Sequence, residues 1–269
     1  MKKILFPTDF SKTANKALEY ATAFAGQFEA TIDLMSIYSI PLADAGSVPP
    51  QHIEKMLEEK KQMVLAKLEG LRTAMDHSIQ GEIRADYGIF IYQEVVDAAR
   101  QGAYDLIMMG TKGEHNRIEN LLGSVTSHTM MHAHCPVLAI PEGSSFEPIQ
   151  RIAYATDFHP TDEHAVEQLF EWSGTLGATV HFVHVEKTKK EISASDEGET
   201  GETPMPFSNF TVVRHSDISA GLDTYIKTAA IDLLALFIPR RRLWERLFHT
   251  SFTKKMAFHS RTPILVFHE

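Results

Sequence analysis

Three glycines between Asp105 and Pro141, namely Gly110, Gly113 and Gly123, are spaced G-x2-G-x9-G and followed at once by Ser124. Glycine lets backbone amides come close to a ligand, and the first turn of a helix leaves N–H groups without intrahelical acceptors. With the helix dipole behind them, such amides favour an anion, most often a phosphate. The flanking residues supply the setting. Asp105 leads an apolar run that predicts a buried parallel strand ending at Gly110. Ser124 is placed to be the N-cap of a helix with Val125, Thr129 and His132 at helical spacing. Cys135-Pro136 ends that helix, and Val137 to Ile140 is a further short strand. On the glycines alone, ordinary turns and a helix C-cap account for the spacing equally well.

Other reactive side chains lie nearby. Lys112, His115, Asn116 and Arg117 are placed to touch an anion, although a polar loop is usually just solvated. His128 and His132 stand four apart on one helix, a spacing that can hold zinc, but no third ligand follows by spacing and HExxH is absent. The single cysteine, Cys135, precedes a proline and a core strand and reads as a small hydrophobe. Met108, Met109, Met130 and Met131 read as core packing. Neither a GxxxxGK[ST] loop nor a kinase catalytic-loop signature is present. Catalytic residues and a resident metal are therefore not assigned.

The elements that must position these residues alternate between strand and helix. Ile4 to Pro7 is a short strand ending in Thr8-Asp9, and Ser11 caps a helix with Ala14, Ala17, Leu18, Ala21 and Ala25 inward and Gly26 closing it. Thr31 to Tyr38 is a second strand. A charged amphipathic helix spans roughly Gln51 to Ala74, then come a strand from Ile79 to Tyr87, a helix from Tyr92 to Arg100 and the strand from Tyr104 to Met109. Such alternation predicts an α/β fold with a doubly wound, Rossmann-like parallel sheet, whose ligands sit at the carboxyl ends of the strands. Asp9 and Gly110 both fall at that end.

Composition bounds the possibilities. The 269 residues allow about two domains, and 43% hydrophobic with 23% charged residues is ordinary for a globular protein. A net charge of −9 argues against a nucleic-acid-binding surface but not against one small anion held by amides. No signal-peptide pattern and no membrane-spanning apolar run stand out, and one cysteine permits no internal disulfide, so a cytoplasmic location is the default expectation.

After Pro141 and the linker Glu142-Gly143-Ser144-Ser145 the pattern starts again. Ile152 to Phe158 repeats Ile4 to Phe10 at an offset of 148, which also pairs Ala178-Thr179-Val180 with Ala30-Thr31-Ile32. Toward the end the offset is 127, pairing Asp232-Leu233 with Asp105-Leu106, Ser251 with Ser124, Thr253 with Thr126 and Pro263 with Pro136. The second copy is thus 21 residues shorter between its second and fourth strands. There it carries Lys187 to Pro206, with an acidic tract from Ser195 to Glu202 that reads as a solvated loop, a regulatory lid being the competing reading. The glycines do not survive: Phe237, Arg240 and Thr250 replace Gly110, Gly113 and Gly123. Asp157 remains, most simply as a helix cap, and Pro239-Arg240-Arg241-Arg242 reads as a basic surface patch.

The glycine spacing with Ser124-Val125-Thr126 and His134-Cys135-Pro136-Val137, and the opening Ile4-Leu5-Phe6-Pro7-Thr8-Asp9-Phe10-Ser11, resemble the nucleotide-binding signature and first strand of the universal stress protein family. The resemblance covers nearly the whole chain as a tandem pair. It implies two domains with the adenine nucleotide alpha hydrolase-like variant of the fold: residues 1–143, nucleotide-binding, and 148–269, degenerate. It further implies ATP, accompanied by Mg2+, in the first domain. Asp9 would contact the ribose or adenine side, with Pro7 and Thr8 lining the turn. Ile37 would meet adenine through its backbone. Gly110, Gly113, Gly123, Ser124 and Val125 would surround the phosphates. The two copies are expected to pack as an intrachain pseudo-dimer through Val137 to Ile140 and Ile264 to Phe267, with further homodimerisation open. Three functions remain at this point: an ATP-binding stress-response module, an enzyme that slowly hydrolyses ATP or phosphorylates itself, and a nucleotide-free scaffold.

Overall fold

The computed structural model describes residues 1–40, 49–111, 123–156, 163–188, 210–238 and 262–268. In the first half, strand β1 (Lys3–Pro7) leads to helix α1 (Lys12–Phe28), β2 (Thr31–Tyr38), α2 (Pro50–Thr73), a 3-10 turn at His77–Ile79 and β3 (Gln80–Tyr87). Helix α3 (Ile91–Gln101), β4 (Leu106–Gly110), α4 (Ser124–His132) and β5 (Val137–Ile140) complete it. The second half contains β6 (Arg151–Ala155), α5 (Glu163–Leu176), β7 (Thr179–Lys187), β8 (Phe210–His215), α6 (Ile218–Thr228), β9 (Leu233–Ile238) and β10 (Ile264–His268).

The ten strands among the described residues form one sheet in the order β3-β2-β1-β4-β5-β10-β9-β6-β7-β8. Pairing is parallel within each half and antiparallel where the halves meet. Strands buried on both faces explain the unbroken apolar runs in the sequence. Side chains alternate between two cores: Ile4, Phe6, Leu106 and Met108 pack toward α1, α2 and α5, whereas Leu5, Ile107 and Met109 pack toward α3, α4 and α6.

The internal repeat extends to individual bonds. Ile4 pairs with Ile32 and Leu106, and Ile152 with Val180 and Leu233, which are the same registers at offsets of 148 and 127. Asp105 accepts the amides of Lys2 and Lys3 at 2.6 and 2.9 Å, and Asp232 those of Gln150 and Arg151, both at 2.9 Å. Met35 pairs with Arg84, and Val183 with Thr211, so the shortfall of the second half lies between its second and third strands, where the first half has α2. The acidic tract expected there lies outside the described residues.

The expected pairing of halves is present. Ile264, Leu265 and Val266 pair with Ala139, Leu138 and Val137. An aromatic cluster seals the seam, with Phe146 edge-on to Tyr20 at 5.2 Å and Trp172 facing both Phe24 and Phe28. The His268 ring donates through Nε2 to the Met130 carbonyl at 2.6 Å, joining β10 to the last turn of α4. That carbonyl is one of the helix-end acceptors that lack an intrahelical donor.

Some local expectations shift. Helix α1 does not close at Gly26: it runs to Phe28 and is capped by Glu29 in the left-handed conformation (φ 52). The corresponding cap of the second half is a glycine, Gly177 (φ 66). Helix α4 stops at His132, ahead of Cys135-Pro136, because Ala133 is already extended (ψ 156). Its inward residues are Thr126, Thr129 and Met130, while His132 is exposed and Met131 lies on the surface instead of in the core.

Candidate functional site

β1 and β4 are neighbours, and the chain leaves them in opposite directions, β1 toward β2 and β4 toward β5. Their carboxyl ends therefore flank the switch point of the first half, where an open α/β sheet leaves a crevice. Pro7 ends β1 and Gly110 ends β4, so the topology brings the two sequence patterns to one place.

The turn after β1 is built by its own side chains. The buried Thr8 gives its amide to the Met35 carbonyl at 2.8 Å, and its hydroxyl accepts the Phe10 amide at 3.0 Å. The exposed Asp9 accepts the Ser11 amide at 3.0 Å through Oδ1, and Ser11 in turn caps α1 by accepting the Ala14 amide at 3.1 Å. Between them Phe10 sits at φ 64, a left-handed conformation uncommon for a phenylalanine and held here by these bonds. The Lys67 ammonium lies 5.3 Å above the Phe10 ring. Ile37, half-buried on β2, is paired with Asp86 one strand further out.

Across the crevice, Gly110 pairs with Ile140 as the last residue of β4. Thr111, buried, gives its amide to the Ile140 carbonyl at 3.0 Å and receives the Gly123 amide on its own carbonyl at 2.7 Å. Gly123, not Ser124, is the N-cap of α4, with extended angles (φ −53, ψ 144) and no side-chain cap. Ser124 is instead the exposed first helical residue, because the bond from Gly123 to Thr111 fixes the glycine as the point where strand geometry gives way to helix. The amides of Ser124, Val125 and Thr126 occupy first-turn positions with no intrahelical acceptor by geometry. Ser127 donates its amide and hydroxyl to the Gly123 carbonyl, at 3.0 and 2.7 Å. Val125 is half-buried against the core under α3 and α4. Gly113, Lys112, His115, Asn116 and Arg117 lie outside the described residues.

Thr111 was not singled out from the sequence, and Thr126 was named there only as part of the signature and the repeat, with no contact assigned to it. The Thr126 hydroxyl donates to the Gly110 carbonyl at 2.9 Å, tying the helix to the end of β4. A threonine in the first turn of a helix is too common to signal such a contact before the strand is positioned.

In the second half β9 runs through Phe237 to Ile238 without the glycine that ends β4. Phe237 is buried in the core on the α1 and α5 face, so its bulk packs inward. Arg240, Thr250, Asp157 and the arginine run lie outside the described residues.

The histidine pair is held by its own helix. Nδ1 of His128 donates to the Ser124 carbonyl at 2.6 Å and Nδ1 of His132 to the His128 carbonyl at 2.8 Å, while the rings lie parallel, 6.3 Å apart, beside Tyr92. Among the described residues no group of three or more His, Cys, Asp or Glu is gathered for a metal. Burial, with the charge of Asp105, pushes the Cys135 thiol up to about 12, so it is not poised as a nucleophile.

A polar cavity of about 340 Å³ opens at the opposite, amino ends of the strands. Its most buried charge is already engaged. Asp33, nearly fully buried, accepts the Tyr104 hydroxyl at 2.6 Å, the Glu82 amide at 2.8 Å and the Lys3 ammonium at 3.2 Å.

The fold and crevice define a tandem, doubly wound α/β protein with a candidate ligand crevice in its first half. The model of the universal stress protein family matches residues 1–141 and again 148–268, and the chain belongs to that family. It is 32% identical over 165 residues to universal stress protein MJ0577 of Methanocaldococcus jannaschii, covering 54% of this chain and 97% of the relative. It is 31% identical over 143 residues to universal stress protein MJ0531 of the same organism, covering 52% and 81%. A universal stress protein structure from Archaeoglobus fulgidus superposes with a TM-score of 0.67 over 99% of this chain and 96% of its own, at 20% identity, which is a likeness of fold. No helix among the described residues is long and apolar enough to cross a membrane.

Proposed function

We propose that the first half binds one adenine nucleotide, ATP, at the crevice between β1 and β4, and that the protein acts as a nucleotide-dependent stress-response module. The observation that carries this reading is the convergence of the Thr8-Asp9 turn with Gly110, Gly123 and the first turn of α4 at one switch point. Asp9 and the Ile37 backbone take the nucleoside, while Gly110, Gly113, Gly123, Ser124 and Val125 take the phosphates. A magnesium ion would travel with the triphosphate and its waters.

Binding without fast turnover is the preferred activity, since the sequence carries neither a GxxxxGK[ST] loop nor a kinase catalytic-loop signature. The scaffold reading draws on a different observation, the continuous sheet across β5 and β10, and needs no ligand. A cytoplasmic setting suits the lone cysteine, and further association of two chains would be read by sedimentation.

Nucleotide released from heat-denatured protein tests the reading, measured beside a Gly123→Val variant. About one ATP or ADP per chain, lost in the variant, supports it. Two per chain would show that the second half also binds. None, with no calorimetric response to added ATP, would leave the scaffold.

A further inference from the structure

Ser and Thr within a helix ordinarily satisfy their hydroxyls on the carbonyl three or four residues back. Ser127 does so, on Gly123. Thr126, its neighbour, does not. It is 3% exposed, and its hydroxyl leaves the helix for the carbonyl of Gly110, 16 residues earlier on β4. A second bond closes the same gap, from the Gly123 amide to the Thr111 carbonyl at 2.7 Å. A third fixes Thr111 itself on Ile140 of β5.

We infer that Thr126 is a positioning residue for the phosphate end of the site. Resting on the nucleotide reading above, it holds the first turn of α4 against the end of β4 before any ligand arrives. The physical reason is entropic and geometric. Thr111 and Gly123 are already held by each other and by β5, and a site whose geometry is fixed in advance spends less binding energy on ordering. The orientation of the first-turn amides then follows from the strand, through one hydroxyl, and anions are bound by amides already aimed at them. The nucleoside side does not depend on this bond, because Thr8 and Asp9 are held by Met35, Phe10 and Ser11.

The test uses the full chain with Thr126→Val, which keeps the shape and removes the donor, and Thr126→Ser, which keeps the donor. Exchange of the Gly123 amide with deuterium, without nucleotide, should rise about tenfold or more in the valine variant and stay near wild type in the serine variant. Affinity for ATP should fall about tenfold in the valine variant and return in the serine variant, while adenosine binding changes less than about twofold. An unchanged Gly123 exchange rate, or equal losses for ATP and adenosine, would overturn the assignment and leave Thr126 a structural residue. Absence of ATP binding by the wild type would remove the nucleotide reading, and the exchange result would still decide whether Thr126 sets the first turn of α4.

Discussion

At the scale of single residues, much of the polar chemistry in the core is structural. Asp33 illustrates it. Its carboxylate serves the Glu82 amide at an irregularity between β2 and β3, where the register slips between Ile32 and Leu34. Gly81 lies against this carboxylate, and a Cβ there would also come within 2.7 Å of the Ile32 carbonyl. Gly81→Ala should displace Asp33 and cost about 3 kcal/mol, since buried partners are left unsatisfied. A urea midpoint equal to wild type would refute this. Titration offers a second check. Burial raises the phenols of Tyr20 and Tyr104 well above their ordinary 10.0, with Asp232 and Asp33 respectively adding to it, and raises the Cys135 thiol from 9.0 to about 12. The folded chain thus holds protons that the unfolded chain releases. Their contribution is full below about pH 9 and is lost as pH rises through about pH 9 to 12. The urea midpoint should fall over that window, less steeply in Tyr20→Phe, and a flat profile would contradict the burial.

At the scale of elements, the local signals were strong where the physics is local. The strand from Thr31 to Tyr38 and the N-cap at Ser11 were legible as they stand, because apolar runs and capping need only neighbours. Ser124 was not. Its type suits an N-cap, but the Gly123 amide is taken by Thr111, a partner twelve residues back whose position depends on β4 and β5. The same cause hid the contact of Thr126 with Gly110. Gly26 misled for the opposite reason: a glycine inside a helix is tolerated at about 1 kcal/mol, and the left-handed cap at Glu29 carries the helix past it.

At the scale of the molecule, one sheet joins two unequal halves, and the seam follows from what each edge would otherwise expose. Val137 to Ile140 and Ile264 to His268 are buried along their length, and an uncovered apolar edge of this kind seeks a partner. Residues 1–143 expressed alone should therefore self-associate through β5 as a dimer, read by sedimentation at micromolar concentration. A stable monomer would mean that the edge needs no cover. The full chain meets the need internally, and β10 adds the His268 contact to α4, so the half without the glycines touches the helix that carries the candidate site.

The sequence by itself determined the α/β alternation, the repeat with its two offsets and the loss of glycines from the second copy, because periodicity, spacing and glycine geometry are properties of a chain read locally. Through the family resemblance it also marked Pro7, Thr8, Asp9, Ile37, Gly110, Gly113, Gly123, Ser124 and Val125 as candidates. Only the tertiary structure decided that β1 and β4 lie side by side, that Gly123 rather than Ser124 is the cap of the helix, and that a threonine hydroxyl ties the helix to the strand. Those are contacts between residues far apart in the chain, and they exist only once the sheet has set its strand order.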